Sequence, residues 1–298
     1  MVIPRIMRFV RCSCALFVLT IAVASAQDFT DLKVDKVATG MHFTEGPAWS
    51  PEGFLLFSDT VTNKLHKFVP GKGTAEAGEV AGGAIGNSYD MEGRLYTCEF
   101  RQRRVTRTSK NGKVEVLAER FEGKRFNGPN DIAVRHDGHA YFTDPAFGNQ
   151  EDARELGFYG VFHVTPKGEL EAVAKWKTRP NGVTLSPNGR MLYVSDSDSR
   201  CVRAYDLDHA GVASNERVLI DKIRGIPDGL RTDEKGNLYV AAQAVYVYSP
   251  QAQLLGQVIL AETPSNLSFG GGDLKSLFIT ARTSVYHVRL GVKGASQY

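Results

Sequence analysis

The chain has 298 residues, 42% of them hydrophobic and 23% charged, an ordinary globular composition long enough for one large all-β domain or two smaller ones. Its formal net charge of +3 is matched by Arg5, Arg8 and Arg11 in an N-terminal stretch without acidic residues, so from Gln27 onward the charge is 3 − 3, or zero. A neutral chain has no global basic field, which excludes nucleic acid and anionic lipid as general partners.

In chain order, the first feature is a basic start followed by a nearly unbroken apolar or small run from Cys14 to Ala24, ending in Ala24-Ser25-Ala26. This pattern predicts a secretory signal over residues 1–26, cleaved after Ala26, and a secreted or periplasmic mature protein over 27–298. The run is shorter than the ~20 residues a spanning helix needs, so no stable membrane insertion is expected after cleavage. Cys12 and Cys14 leave with the signal. Cys98 and Cys201 could pair, but they fall two repeats apart and lie in no CxxC or zinc pattern, which favours two buried free thiols.

The rest of the chain is built from one recurring unit: a short apolar strand, a glycine turn, and a second strand rich in aromatic and β-branched residues. It reads GPAWSPEGFLLFSD, IGNSYDMEGRLYTCE, NDIAVRHDGHAYFTD, NGVTLSPNGRMLYVSD, DGLRTDEKGNLYVAA and SNLSFGGGDLKSLFIT. The turn positions are Gly53, Gly93, Gly138, Gly189, Gly236 and Asp273, at steps of 40, 45, 51, 47 and 37 residues. Such a period, with about four strands per unit, predicts an all-β, six-bladed β-propeller of four-stranded antiparallel blades. The segment Asp31 to Ala38 (DLKVDKVA) has strand character and is expected to supply the outer strand of the last blade, closing the ring.

Counting back eight residues from each turn gives Glu45, Ile85, Asn130, Asn181, Asp228 and Ser265. In homologous blades these six sit at the entrance to the innermost strand and face the central channel at one end. Pro47, Pro129, Pro180 and Pro227 recur beside them and fix the backbone there. Any one Asn or Asp before a strand can be a turn former. Glu45 is a poor turn residue, however, and two carboxylates at a narrow channel mouth repel unless neutralised. Four oxygen-bearing side chains, Glu45, Asn130, Asn181 and Asp228, thus predict a divalent-cation site. Ca²⁺ suits it first; Mg²⁺, Mn²⁺ or Zn²⁺ remain open, although the lack of His and Cys argues against high-affinity zinc. Three or four protein ligands leave room for water and substrate, the layout of a catalytic site.

Other acidic and basic runs read as structural. Asp59, Asp144 and Asp196 end the second strand in successive units and are expected to bond to neighbouring turns. The DSDSR run at Asp196 to Arg200 lacks the Gly and distal Glu of a calcium loop. Arg101 to Arg107 (RQRRVTR) reads as a solvated outer strand.

The stretches EGPAW, GKRFNGPNDIAV with DGHAYFTDPAFG, RPNGVTLSPNGRMLYVSDS, IPDGLRTDEKGNLYVAA and SNLSFGG together resemble the gluconolactonase family, which includes the regucalcin-like senescence marker proteins. The resemblance covers almost the whole mature chain. It implies a six-bladed propeller, a single divalent metal in the channel and hydrolysis of sugar lactones. It also implies that Glu45, Asn181 and Asp228 bind the metal, that Asp228 is catalytic, and that Asn130 contacts metal water or substrate. Many relatives carry Asn-Gly at the second-blade position and a His after the Cys-Glu of that blade, where this chain has Ile85-Gly86 and Phe100. The substrate is therefore less constrained than the metal.

The reading that follows is a metal-dependent lactonase, a carboxylic ester hydrolase in which Asp228 accepts a proton from the attacking water and a small-molecule lactone is opened to a hydroxy acid. Arg125, Asn127 and Asn130 of the RFNGPND loop are the expected substrate contacts, with Tyr159 a weaker candidate. A calcium-dependent esterase or phosphotriesterase on the same site, and a non-catalytic calcium- or ligand-binding propeller, are the alternatives. A monomer is expected.

Overall fold

Runs of alternating apolar and polar residues separated by glycine turns fold here as up-and-down antiparallel sheets. The structure, a computed structural model, describes residues 1, 29, 31–80 and 82–296. The predicted signal and its cleavage site, with Cys12 and Cys14, lie outside the described residues apart from Met1.

Strand β1 (Val34–Thr39) is followed by blade one, β2 to β5 (Thr44–Ser50, Phe54–Asp59, Lys64–Val69, Gly73–Glu79), and blade two, β6 to β9 (Ala84–Tyr89, Leu95–Glu99, Arg104–Thr108, Val114–Ala118). A two-stranded hairpin, β10 (Arg120–Phe121) and β11 (Lys124–Arg125), leads to blade three, β12 to β15 (Ile132–Val134, Ala140–Asp144, Tyr159–Val164, Leu170–Trp176). Blade four is β16 to β19 (Pro180–Leu185, Met191–Asp196, Cys201–Leu207, Ala213–Ile220), and blade five is β20 to β23 (Leu230–Thr232, Leu238–Ala241, Val245–Tyr248, Leu254–Val258). The sixth sheet has the order β1-β26-β25-β24, with β24 (Pro264–Gly270), β25 (Ser276–Ala281) and β26 (Ser284–Arg289). Its outermost strand is therefore the N-terminal one, Val34 standing opposite Val288. The molecule is a six-bladed propeller of four-stranded antiparallel blades.

The core is divided into wedges, one at each blade junction among the described residues. Phe57 and Trp49 meet Phe278 and Val285 where blade one meets blade six, and Tyr96 and Val105 meet Phe142 and Phe162 between blades two and three. Corresponding clusters fill the other junctions. Cys98 and Cys201 are buried free thiols within this packing, as the repeat spacing suggested.

The inner rim is stitched blade to blade through backbone carbonyls. Ser58 Oγ donates to Ile85 O (3.0 Å), Gly86 N to Asn130 O (2.8 Å), Thr143 Oγ1 to Asn181 O (2.5 Å), Ser195 Oγ to Asp228 O (2.7 Å) and Gly229 N to Ser265 O (2.8 Å). Ser265 Oγ completes the circuit on Thr44 O, at 2.8 Å. Five of the six equivalent positions thus have their carbonyl held by the preceding blade. In blades one, two and four the next residue must then be glycine: a Cβ on Gly46, Gly86 or Gly182 would lie 1.8, 2.4 or 2.3 Å from the carbonyl oxygen of Ile85, Asn130 or Asp228. At the opposite end, the C-terminal segment lies across the channel, Glu234 N bonding Lys293 O and Ala295 N bonding Thr232 O.

Gly182→Ala is accordingly expected to lower the unfolding free energy by about 1–3 kcal/mol, measured by denaturant titration. An unchanged midpoint would show that the inner strands can separate without cost.

Candidate active site on the propeller axis

The carbonyl circuit sets the direction of the side chains. Backbone irregularities fall at the same place in four innermost strands, between Glu45 and Ala48, Ala84 and Asn87, Pro180 and Val183, and Pro264 and Asn266. A bulge resets the two-residue alternation, so residues three apart can share a face.

Glu45 is 5% exposed, and its Oε2 accepts from Gly46 N (2.8 Å) and Asn266 Nδ2 (3.2 Å). Burial raises its carboxyl to about 7, with the two donors pulling the other way and the Asp131 charge pushing it further up. Asp228 keeps an edge open to solvent. Its carboxyl is driven well above the usual range, first by desolvation and then by the charges of Glu45 and Asp131; the Asn181 amide and Gly229 N oppose this. Asn181 also donates to Ser197 Oγ at 3.1 Å, which fixes its amide beside Asp228. Asn130 is buried at the same level of the ring, held through its own carbonyl. The structure therefore brings Glu45, Asn181 and Asp228 into electrostatic or hydrogen-bonded contact, with Asn130 at the equivalent strand entrance.

Three neighbours escaped the repeat count. Asp131 is 1% exposed, accepts from Val183 N at 3.1 Å through Oδ2, and bonds the Asn266 amide. Arg231, also 1% exposed, places Nη1 3.8 Å from Asp131 Oδ2 and donates to Leu230 O at 2.6 Å. Burial raises the Asp131 carboxyl, and the Arg231 guanidinium opposes that rise. A signal existed in the sequence. One residue after the ring the six units carry Gly46, Gly86, Asp131, Gly182, Gly229 and Asn266, and three residues after it they carry Ala48, Ser88, Ala133, Thr184, Arg231 and Ser268. Asp131, Asn266 and Arg231 are the exceptions in columns otherwise made of small residues.

The other expected contacts are engaged in bracing the loops. Asn127 Nδ2 donates to Asp144 O and Phe158 O, both at 3.0 Å, while Arg125 Nη2 donates to Gln102 O at 2.7 Å and its backbone N to Glu155. Tyr159 bonds Glu151. Asp59, Asp144 and Asp196 accept from the segments entering their own blades, at His42 and Phe43, Asn127 and Gly128, and Thr178. In the DSDSR run, Asp198 pairs with Arg179 and Asp196 with Arg203. Arg101 to Arg107 form a turn and β8, the third strand of blade two rather than its outer one. Arg104 pairs there with buried Glu99, which draws that strand inward.

No three His, Cys, Asp or Glu side chains among the described residues converge as an ion cage by themselves. The donor set is instead two carboxylates with amide oxygens, a hard all-oxygen set suited to a divalent cation. Glu45 raised by burial and by Asp131, Asp228 raised by burial and by both, and Asp131 Oδ1 left without a protein hydrogen-bond partner form an electrostatic deficit of the kind a cation relieves.

Fold and site together define a propeller with an oxygen-donor centre on its axis. The SMP-30/Gluconolactonase/LRE-like region matches residues 43–283, and the chain belongs to this family. A gluconolactonase of Zymomonas mobilis is 31% identical over 291 residues, spanning 86% of this chain and 81% of its own. A pentonolactonase of Haloferax volcanii is 26% identical over 256 residues, 82% of this chain and 83% of its own. The solved structure of a gluconolactonase from Xanthomonas campestris superposes with a TM-score of 0.82 at 30% identity, over 91% of this chain and 92% of that one.

Because the folded Glu45 carboxyl titrates near 7 against an ordinary value of 4.5, the folded state holds its proton longer than the unfolded state. Stability contributed by the neutral form is present at low pH and lost as pH rises from about 4.5 through about 7. In chelator, the thermal midpoint is expected to fall across that window and Glu45→Gln to flatten the fall. A midpoint that rises with pH in chelator would contradict this placement of Glu45.

Proposed function

We propose that the protein is a hydrolase that opens sugar lactones to hydroxy acids with the help of one divalent cation. The observation that carries this reading is the placement of Glu45 and Asp228 at equivalent strand entrances of the ring, close enough for the Glu45 charge to push the Asp228 carboxyl up, with the Asn181 amide opposing that rise. The similarity to gluconolactonase and pentonolactonase supports a lactone substrate.

Glu45, Asn181 and Asp228 would hold the cation, with Asn130 beside them, and Ca²⁺ is the ion the donors suit best. When bound, the cation supplies Lewis-acid polarisation of the lactone carbonyl and acidifies water. Asp228, the partly accessible carboxylate of the set, accepts the proton of the attacking water at its side-chain oxygen. The water oxygen bonds the carbonyl carbon, the acyl C–O bond of the ring breaks, and the proton held by Asp228 passes to the ring oxygen, which leaves as a hydroxyl group. Asn181 keeps the Asp228 carboxylate oriented through its amide, itself fixed by Ser197. Asn130 presents its amide to substrate from the neighbouring blade. The C-terminal segment across the far end leaves the ring end of the channel as the way in for substrate.

Hydrolysis of glucono- and pentonolactones, aryl esters and phosphotriesters, followed with a pH indicator with and without chelator, tests the reading. Lactone opening is expected to require the cation and to fall by about 10²–10⁴-fold in Asp228→Asn. If no lactone is opened at any cation concentration the reading fails, and turnover of esters or phosphotriesters alone would move the site to those substrates.

A further inference from the structure

Beneath the ring, the channel holds one side chain that its neighbours make room for. Arg231 occupies a column whose other members are Ala48, Ser88, Ala133, Thr184 and Ser268, all buried. An arginine is always charged, and a buried one needs a partner. Arg231 has no direct hydrogen bond to a carboxylate: its nearest is Asp131 at 3.8 Å, Glu45 also acts on it, and its Nε has no protein partner. A guanidinium placed to saturate Asp131 would form a bidentate pair at hydrogen-bond distance. Here the charge is held back, directed at two carboxylates together and neutralising neither by contact.

The sum of charges is informative. Glu45, Asp131 and Asp228 carry three negative charges when ionised and Arg231 one positive, giving 1 − 3, or minus two, for the buried cluster. We propose that Arg231 is a fixed counter-charge that balances Asp131 and sets the axial site to minus two, so that the site matches a divalent cation and discriminates against trivalent ones. Arg231 is on this view a positioning residue for charge, acting through Asp131 and Glu45 without touching the cation. The inference rests on the divalent-cation reading of the site.

The test is a charge cycle in the full chain. Ca²⁺ and Tb³⁺ are titrated calorimetrically into wild type, Arg231→Met, Asp131→Asn and the double variant, with folding checked by circular dichroism. Arg231→Met makes the cluster minus three, and the Tb³⁺-to-Ca²⁺ affinity ratio is expected to rise by about tenfold or more. Asp131→Asn makes it minus one and is expected to move the ratio the other way. The double variant returns to minus two and is expected to restore the wild-type ratio to within about threefold. A merely structural Arg231 would weaken both ions alike and would not be rescued by Asp131→Asn. If wild type binds neither ion, the divalent-cation reading itself fails. If it binds both and the ratio stays fixed across the variants, only the counter-charge inference is overturned. Should Arg231→Met not fold, Asp131→Asn and Arg231→Lys decide the matter: the first must lower the ratio and the second leave it unchanged.

Discussion

The rest of the structure depends on the carbonyl circuit at the inner rim. Five blades hold the next by a hydrogen bond to the same backbone position, from a Ser or Thr hydroxyl of the second strand or from the amide after the ring residue, and the sixth reaches Thr44 O, one residue before the ring, through Ser265 Oγ. These bonds are buried, so losing one leaves a carbonyl unsatisfied at a cost of about 1–3 kcal/mol. Blade interfaces are otherwise apolar wedges, which specify contact but not height along the axis. The circuit supplies that missing coordinate. With five ring carbonyls fixed in this way and Thr44 O beside Glu45 fixed by the sixth blade, the side chains of the ring residues are held in matching places, and four of them carry carboxylate or amide oxygens.

A site assembled this way concentrates negative charge where solvent is excluded. The strain is visible in how Glu45 and Asp228 hold on to their protons. Partial relief comes from donors already in the protein, Gly46 N and the Asn266 amide on Glu45, Val183 N on Asp131, and the Asn181 amide on Asp228. Asp131 Oδ1 accepts from none of them. Preorganised groups that are under-satisfied by the protein alone create a demand for a ligand cation, and the same rigidity keeps the donors from collapsing onto one another.

The fold and the ring were legible in the sequence because both depend on residues that repeat. Glycine is the residue that takes a positive φ at least cost, as Gly53, Gly93, Gly138, Gly189 and Gly236 do at the turns, and the eight-residue distance from each turn survives changes in outer-strand length. What was missed does not repeat. Asp131, Asn266 and Arg231 each break a column of small residues, and a search for recurrence passes over exceptions. The RFNGPND loop was read for substrate contacts from its polar residues, yet Asn127 spends its amide on the carbonyls of Asp144 and Phe158. A short loop that must turn sharply into a buried strand satisfies its own backbone first.

The one apolar member of the ring gives the site a direction. Ile85 turns its side chain into the wedge that contains Phe126 and Leu156, and it remains partly exposed. Phe100, in the same blade, lies under the Arg101 guanidinium, and its carbonyl accepts from Gln150 of the blade-three loop. The oxygen donors are thus confined to blades one, three, four and five, and blade two presents carbon. An amide at position 85 would add a further oxygen and make the ring nearly uniform; isoleucine removes that option and packs hydrocarbon against the wedge instead. Blade two is thus where the ring departs from its own repeat, and the departure leaves the carboxylates and amides of Glu45, Asn181 and Asp228 untouched because each is held by its own strand entrance.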